Sequence, residues 1–353
     1  KPYYESGVRR HDQYVLFTPS GAGIEFTDLP ENFSVREIPF PRLWTQIRLS
    51  WQLFREKIDV LFIPSHVMPF FIPKKVKKVV TIHDVAFRYF PDSYGFLSRA
   101  YLEMTTKYAV KKADKILTIS NTTRDDLIKF YDADRKKIEV TYLGFENIVY
   151  ADGNSGDKTW KAIAEKFGIN KKFLLYVGRI ESKKNILNLV KAFYQVLTVG
   201  EDLQLVLAGG KGMGFEKVQE FVKKYNLFDR VIFTGFVREE EKRHLLENAE
   251  AFVFISRYEG FGIPVLEAFD AGLPVVASKI DVFKELYKGA VVFVDQYDPA
   301  QIAKSIVGLL NNKEKKKDLI FKGKAVSKNF SWEKCASKTM GIIKELGEGE
   351  GNC

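Results

Sequence analysis

The sequence predicts an α/β protein of two domains, each built on a parallel, doubly wound sheet. Short apolar runs of strand length alternate with helix-length amphipathic stretches in both halves of the chain. At 353 residues the chain is too long for one ordinary core and suits two. Residues 144–170 lack a strong strand pattern and contain Ala-Asp-Gly-Asn-Ser-Gly-Asp, the best linker in the chain. We therefore expect domains at 1–150 and 151–330, followed by a final segment at 331–353.

The composition is that of a soluble globular protein, with 46% apolar and 28% charged residues. No apolar run approaches the ~18 to 20 residues that cross a bilayer. Cys335 and Cys353 are too few for a disulfide framework and favour a reducing compartment. The chain opens on Lys-Pro-Tyr-Tyr without Met or a signal peptide, so we expect a processed or incomplete front.

The net charge of +10 is compatible with nucleic acid, an anionic membrane surface or phosphorylated small molecules as partners. Basic residues are spread through both halves, and the sequence has no long arginine-rich arm. Nucleic acid is therefore ranked last and is not expected as a partner.

The first half begins the alternation of strands and helices. The helix predicted at 43–57 places Leu43, Ile47, Trp51 and Phe54 on one side, which we expect to pack on the core; a helix lying on a membrane is the alternative. The other predicted elements are strands at 13–18, 60–63, 76–82, 115–120 and 140–143 and helices at 96–112 and 124–130.

Three polar residues follow strands in this half. His83 and Asp84 come directly after the strand at 76–82, at the carboxyl end where open α/β sheets bind ligands. The alternative is a histidine hydrogen-bonded inside a loop. Ser120, in the run Ser-Asn-Thr-Thr, is expected to cap the next helix.

No metal site is expected. Asp132 and Asp134 have the Asp-x-Asp spacing of one class of metal-dependent sugar transferases, but they fall in a polar loop beside Arg135 and indicate solvated surface. The histidines, His11, His66, His83 and His244, show no metal-ligand spacing.

A fresh strand–helix unit opens the second half. Arg179 and Lys184 bracket the loop between the strand at 173–177 and the helix at 186–199, and together they suit the two phosphates of a nucleotide diphosphate. Solvated basic residues are the alternative. Further strands are predicted at 203–208, 231–234, 251–255, 274–277 and 290–294, with helices at 238–248, from Pro264, from Asp298-Pro299 and at 331–346.

The stretch from Glu259 to Glu267 is the most informative of the chain. It runs from a buried strand through Glu259-Gly260-Phe261-Gly262 into a helix that we expect to begin at Pro264. Glycines and a helix start favour an anion, while Glu259 and Glu267, the latter in the first turn, suit the hydroxyls of a sugar nucleotide. A tight turn with a favourable helix dipole is the alternative.

These motifs together resemble the retaining glycosyltransferases of the GT-B fold, family four. The resemblance runs from Tyr14 to Leu346 and is carried by Glu259-x7-Glu267, Gly178-Arg179 with Lys184-Asn185, Thr81-Ile82-His83-Asp84, and Phe330-Ser331-Trp332. It implies two Rossmann-like domains facing across a cleft, with the acceptor on the first, the donor on the second and the last helix crossing back to the first. The family's first strand and its glycine loop have no counterpart here, so the first domain is expected to lack its first strand.

The resemblance also implies roles for individual residues. Glu267 would bind the ribose, Phe236-Val237 would lie by the base, and His83 would approach the donor sugar from the first domain. Glu259 would hold the sugar, although a nucleophilic role stays open. The catalytic set implied is His83, Arg179, Lys184 and Glu259; the donor set is Gly178, Phe236, Val237, Gly260, Phe261, Gly262, Ile263, Pro264, Val265, Leu266 and Glu267; the acceptor side is Asp84 and Ser120.

The expected function is hexosyl transfer, with retention and without a metal or other cofactor, from a GDP- or UDP-linked sugar to a glycan or lipid-linked acceptor. Residues 83–91 look most like mannosyltransferases, which makes GDP-mannose the first candidate. We expect a cytoplasmic enzyme, peripheral at the inner face of the membrane. The alternatives are the same fold with UDP-glucose or UDP-N-acetylglucosamine, and a non-catalytic module that binds sugar nucleotides or glycans.

Overall fold

The computed structural model describes residues 12–21, 29–39, 44–145 and 156–348. This part of the chain divides into two compact units. The first consists of the residues up to Gly144 together with those from Ser331 onward, and the second runs from Phe145 to Phe330. Both units are α/β, with parallel strands and helices, as predicted.

The strands of the first unit form two parallel groups among the described residues. They are β1 (Tyr14–Pro19), β2 (Phe33–Ile38), β3 (Val60–Ile63), β4 (Lys77–Ile82), β5 (Lys115–Thr118) and β6 (Ile138–Val140). β1 pairs with β2, and the others form a sheet in the order β3, β4, β5, β6. The helices are α1 (Ser50–Arg55), which continues a π-helical turn at Trp44–Leu49, then α2 (Ala86–Tyr89), α3 (Phe96–Lys112) and α4 (Asn121–Tyr131), with 3₁₀ turns at Pro91–Ser93 and Arg135–Lys137.

The described part of the second unit has one sheet of six parallel strands. They are β7 (Phe173–Val177), β8 (Gln204–Ala208), β9 (Val231–Gly235), β10 (Ala251–Phe254), β11 (Val275–Ser278) and β12 (Val291–Val294), in the order β12, β11, β10, β7, β8, β9. Its helices are α5 (Gly156–Phe167), α6 (Ile186–Thr198), α7 (Phe215–Lys224), α8 (Glu239–Asn248), α9 (Ile263–Asp270), α10 (Asp281–Tyr287), α11 (Pro299–Leu310) and α12 (Lys313–Ser327), with a 3₁₀ turn at Ser182–Lys184.

The last helix, α13 (Trp332–Glu348), belongs to the first unit. Side chains alternate between the two faces of a strand, so Val80 faces the main core of this unit while Val79 faces the other way. Val79 and Leu117 meet Ile342 of α13 on that second face. The four-stranded sheet is thereby covered on both sides, as a parallel sheet requires.

One predicted helix packs through a different face. In the segment predicted at 43–57, Leu49 and Leu53 are buried, whereas Ile47, Trp51 and Phe54 are 50%, 46% and 64% exposed. The prediction that these three residues pack on the core was wrong, because the pair four residues apart, Leu49 and Leu53, supplies the buried side. Leu43 lies outside the described residues.

The predicted linker at 144–170 was wrong in its second part. Residues 156–167 form α5, where Trp160 stacks on Phe173 with ring centroids 5.8 Å apart. Its apolar positions follow helical spacing, which a search for strands overlooks. Residues 146–155 of the predicted linker lie outside the described residues. Among the described residues, five further strands and α-helices had no predicted counterpart: β2, α2, α7, α10 and α12.

Within the part of the chain that the structure covers, no helix combines the length and the apolar character needed to cross a bilayer.

A buried carboxylate joins two helices of the second unit. Glu241 of α8 has 3% of its side chain exposed; Oε1 accepts a hydrogen bond from Lys166 Nζ of α5 at 2.6 Å, and Oε2 accepts one from the backbone N–H of Arg238 at 2.9 Å. The bond from Lys166, followed by that from the Arg238 backbone, lowers the pKa of Glu241 to about 2. Both bonds are stronger to the ionised carboxylate than to the protonated one, so this junction is sensitive to acid.

Replacing Glu241 with Gln should remove an acid-sensitive part of the stability. A folded-state pKa below the ordinary 4.5 stabilises the fold above pH 4.5, and that contribution is lost as the pH falls towards 2. Melting temperatures should therefore be lower for E241Q than for the wild type at pH 7, and the gap should close on approach to pH 2. Glu220→Gln on the exposed side of α7 is the matched control. If the difference in melting temperature between E241Q and the wild type is the same at pH 7 and near pH 2, Glu241 is not the source of an acid-sensitive stabilisation.

Candidate functional site

Two strand-end loops of the second unit lie side by side. β7 and β10 are neighbours in the sheet, so the loops that leave their carboxyl ends, at 178–185 and 255–262, meet at one edge. The backbone N–H of Arg257 donates to the carbonyl of Lys183 at 2.9 Å. Asn185, buried and left-handed at φ 63°, donates its Nδ2 to the carbonyl of Ile255 at 3.3 Å and accepts from Arg257 Nε at 3.2 Å. The two loops are therefore one hydrogen-bonded structure.

An ion pair joins the same two loops. Lys184 Nζ lies 2.6 Å from Glu259 Oε1, and the two side chains are only 17% and 12% exposed. Arg179 is on the first loop, exposed, and its guanidinium forms no ion pair with any described residue. Breaking a buried pair from one side leaves an uncompensated charge at a cost of about 3–5 kcal/mol. Each of the two side chains therefore holds the other in its position.

The hydroxyl groups of two buried tyrosines contact the backbone of these loops. The Tyr176 hydroxyl donates to the carbonyl of Arg179 at 3.0 Å. The Tyr287 hydroxyl lies 3.1 Å from the carbonyls of both Phe261 and Gly262. Burial, reinforced by the Glu259 carboxylate, raises the pKa of both phenols well above the ordinary value, so they remain hydrogen-bond donors. Sequence reasoning missed both, because each reads as an apolar core residue.

The second glycine of the loop is required by its conformation. Gly262 has φ 100°, and a Cβ there would lie 2.7 Å from Phe283 Cε1. It precedes α9, whose first residue is Ile263 and whose second is Pro264, one residue earlier than predicted. Pro264 has no backbone N–H and that of Val265 donates to the carbonyl of Gly262 at 2.9 Å, so the first turn of α9 offers a ligand fewer free N–H groups than an ordinary helix start.

Glu267 lies in the second turn of α9 and not, as was predicted, in the first. It is the fifth residue of the helix, so a first-turn dipole effect does not account for it. Its Oε1 is 2.8 Å from Lys242 Nζ of α8, and the two side chains are 13% and 17% exposed. Lys242 was not singled out from the sequence, where it is one charge among many in a mixed acidic and basic helix.

The remaining donor-side residues divide by exposure. Phe261, Val265 and Leu266 are buried, so their side chains pack in the core and only their backbone is near a ligand. Ile263 and Pro264 are half-buried, and Gly178 has φ 145°, a glycine conformation at the loop start. Val237 is buried too, whereas Phe236 is 86% exposed. Phe236 is thus a free aromatic face on the strand-end side of β9.

The predicted residues of the first unit gather at the ends of β4 and β5. His83 Nε2 lies 2.8 Å from the carbonyl of Pro64, and because a carbonyl only accepts, Nε2 is the donor of this bond. Asp84 accepts a hydrogen bond from the backbone N–H of Ala86 at 2.8 Å. His66, which the sequence did not single out, has its ring 5.6 Å from that of His83, and burial lowers its pKa.

Ser120 occupies a supporting position rather than an exposed one. It is fully buried and caps α4: its Oγ accepts from the backbone N–H of Thr123 at 3.1 Å. Thr123 Oγ1 in turn donates to the carbonyl of His83 at 3.1 Å. The side chain of Ser120 therefore affects the acceptor side only through Thr123 and His83.

Two further features of the described residues bear on other possible sites. No group of three or more His, Cys, Asp or Glu side chains there is arranged to hold a metal ion. A surface cavity of about 420 Å³ lies in the first unit and involves none of the predicted site residues. It is lined by Asn121, Arg124, Arg135, Ile138, Glu139, Val140, Tyr142 and Lys338.

Comparison with known proteins agrees with this architecture. The family model described as Glycosyltransferase Family 4 matches residues 6–146, and that described as Glycosyl transferases group 1 matches residues 160–326. The first match falls in the first unit and the second in the second unit.

Among sequence relatives, the O-antigen chain mannosyltransferase B of Escherichia coli is 28% identical over 86% of this chain and 79% of its own length. The O-antigen chain mannosyltransferase RfbU of Salmonella typhimurium is 30% identical over 64% of this chain, and the match spans 59% of RfbU. Among solved structures, HepE of Anabaena in complex with UDP and glucose superimposes with a TM-score of 0.70 at 15% identity, over 89% of this chain and 87% of HepE.

The structural likeness shows the GT-B fold, and the family matches together account for both units. The chain therefore belongs to family 4 of the GT-B glycosyltransferases and is a glycosyltransferase.

Proposed function

We propose that this glycosyltransferase moves a hexose from a nucleotide-diphosphate sugar to a hydroxyl of a glycan or lipid-linked acceptor, with retention and without a metal ion. The observation that carries the proposal is the meeting of Lys184 and Glu259 at 2.6 Å beside the start of α9, with Arg179 exposed on the same loop. Cations, a carboxylate and the start of a helix thus lie together at one edge of one sheet.

The cations suit a departing diphosphate. An ammonium has three N–H donors. Lys184 can therefore keep its hydrogen bond to Glu259 and donate a second one to a phosphate oxygen. Arg179 adds a two-pronged donor that fits phosphate geometry. Negative charge grows on the diphosphate as its bond to the sugar breaks, so cations already in place stabilise the transition state more than the ground state. This supports a reaction that needs no metal.

The same pair favours a positioning role for Glu259. Its Oε1 is taken by Lys184, and a carboxylate held in a short ion pair is a weaker nucleophile than a free one. It remains a good acceptor for a sugar hydroxyl. The acceptor oxygen then attacks from the side on which the diphosphate leaves, which retains the configuration. Glu267 would accept from the ribose, with the exposed ring of Phe236 beside the base.

Mannose carried by GDP is the first candidate donor. Both sequence relatives described above are named O-antigen chain mannosyltransferases, which supports a mannosyl donor and a glycan acceptor. HepE, which shares the fold, is described with UDP and glucose. UDP-linked sugars are therefore the comparison to be made in any assay.

The exposed face of the helical segment Trp44–Arg55, which was wrongly predicted to be buried, supports a membrane-facing role. Ile47, Trp51 and Phe54 are exposed, and the guanidinium groups of Arg48 and Arg55 lie 4.8 and 4.3 Å from the centre of the Trp51 ring. Aromatic and aliphatic side chains flanked by arginines fit the headgroup region of an anionic bilayer. We propose that this face holds the enzyme peripherally on the inner surface of the membrane, within reach of a lipid-linked acceptor.

The donor and mechanism can be tested with the purified chain. Melting temperatures with GDP, UDP and ADP identify the base, since a ligand of the folded state raises the melting point. Release of nucleoside diphosphate is then followed with GDP-mannose, UDP-glucose and UDP-N-acetylglucosamine, in EDTA. Lys184→Met should lower kcat by about 10²–10³ because a donor to the leaving group is lost. Lys322→Met removes an exposed lysine paired with Asp318, also at 2.6 Å, and should leave kcat unchanged.

The outcomes separate the parts of this proposal. Turnover that stops in EDTA and returns with a divalent ion rules out metal independence. A product of inverted anomeric configuration, identified by nuclear magnetic resonance, rules out retention. Nucleotide binding without turnover of any of the three donors argues against all of them as the substrate.

The membrane face can be tested with vesicles. Co-sedimentation should be stronger with phosphatidylcholine vesicles that contain phosphatidylglycerol than with phosphatidylcholine alone. Trp51→Ala and Phe54→Ala should each weaken it several-fold, since each removes apolar area worth about 1.5–3 kcal/mol when buried. Phe228→Ala, at a comparably exposed ring in the second unit, is the control. Equal sedimentation with both vesicle types, or no effect of either substitution, contradicts the assignment.

A further inference from the structure

Lys242 is held against Glu267 by geometry that an ordinary surface lysine does not have. Its Nζ lies 2.8 Å from Glu267 Oε1 and 2.7 Å from Glu239 Oε2. Lys242 and Glu267 are both more than four-fifths buried, whereas Glu239 is 78% exposed. The contact with Glu239 is a solvated one of little energetic weight. The contact with Glu267 is therefore the one that matters.

This contact leaves part of the carboxylate free. Lys242 takes Oε1, while Oε2 has no hydrogen-bond partner among the described residues. Burial opposes the lysine charge, but the hydrogen bonds and charges of Glu239 and Glu267 outweigh it and raise the pKa of Lys242. The ammonium therefore stays charged at neutral pH and keeps its hydrogen bond to Glu267 Oε1.

We propose that Lys242 is a positioning residue that orients Glu267, so that the free oxygen accepts hydrogen bonds from the ribose hydroxyls of the donor nucleotide. This rests on the proposed function, which places the ribose at Glu267. A hydroxyl bonded to an ionised acceptor is held about twice as strongly as one bonded to a neutral group. The arrangement matches that of Lys184 and Glu259, in which a lysine also fixes one oxygen of a partly buried glutamate.

The prediction is a loss of discrimination for the ribose hydroxyl. Wild-type enzyme should bind GDP, or UDP if that is the preferred nucleotide, about tenfold more tightly than the 2′-deoxy form. In Lys242→Met this preference should fall to about twofold, because a carboxylate that has lost the bond to Oε1 no longer holds its other oxygen in one orientation. Titration calorimetry of the two nucleotides gives the ratio directly, and a general loss of stability would weaken both alike.

The matched control is Lys284→Met. Lys284 pairs with Asp281 at 2.7 Å, but on an exposed surface of α10 in the same unit. The Lys284→Met variant also loses one positive charge and one hydrogen bond, and it should keep the wild-type ratio of affinities for the nucleotide and its 2′-deoxy form. Lys242→Arg, which keeps the charge, should recover part of the preference.

A second comparison covers the case in which K242M is too unstable to assay. The double variant Lys242→Met with Glu267→Gln removes both charges, which relieves the unpaired carboxylate. It should bind both nucleotides with the same low preference as Glu267→Gln alone.

Three results would count against the inference. A wild-type ratio preserved in K242M overturns the role of Lys242 while leaving the proposed function intact. A further fall in the ratio on adding K242M to E267Q shows that the lysine acts independently of Glu267. Failure of the wild type to bind any nucleoside diphosphate overturns the proposed function and the inference with it.

Discussion

The ion pair between Lys184 and Glu259 is the interaction on which the site depends. The two residues are 75 positions apart in the chain, and they meet because β7 and β10 are hydrogen-bonded neighbours in one parallel sheet. The carboxyl ends of such strands share an edge, where their loops must pack together. A pair so little exposed to water persists only with good geometry on both sides. The backbone bonds through Arg257 and Asn185 provide that geometry.

The local features of this edge could be predicted from the sequence, since they follow from neighbours in the chain. The strand at Phe173–Val177, the glycine at Gly262 and the helix after it depend on apolar runs, backbone freedom and capping, all of which act over a few residues. The same holds for the position of His83 after β4. In each case the residue types alone carry the structural information.

Features that depend on contacts between residues distant in the sequence could not be predicted in this way. Tyr176 and Tyr287 are indistinguishable from core aromatics until their hydroxyls are seen beneath the loops. Lys242 acquires its significance only when α8 is placed against α9. For α1 the helical period was identified, but its inward side was not, because a short helix with apolar residues all round has more than one face able to pack. Leu49 and Leu53 face inward, and the aromatic side is left to solvent.

The close approach of Gly144 to the start of α13 bears on how the protein is made. A Cβ at Gly144 would lie 2.1 Å from the backbone nitrogen of Trp332, so the chain leaves the first unit and re-enters it at almost the same point. Ile342 of the re-entering helix covers the sheet face formed by Val79 and Leu117. During synthesis on the ribosome that face stays uncovered until α13 emerges, by which time Phe145–Phe330 has already been made. The inserted unit can therefore fold before the unit that surrounds it in sequence is complete, and until then the nascent first sheet keeps an apolar face exposed.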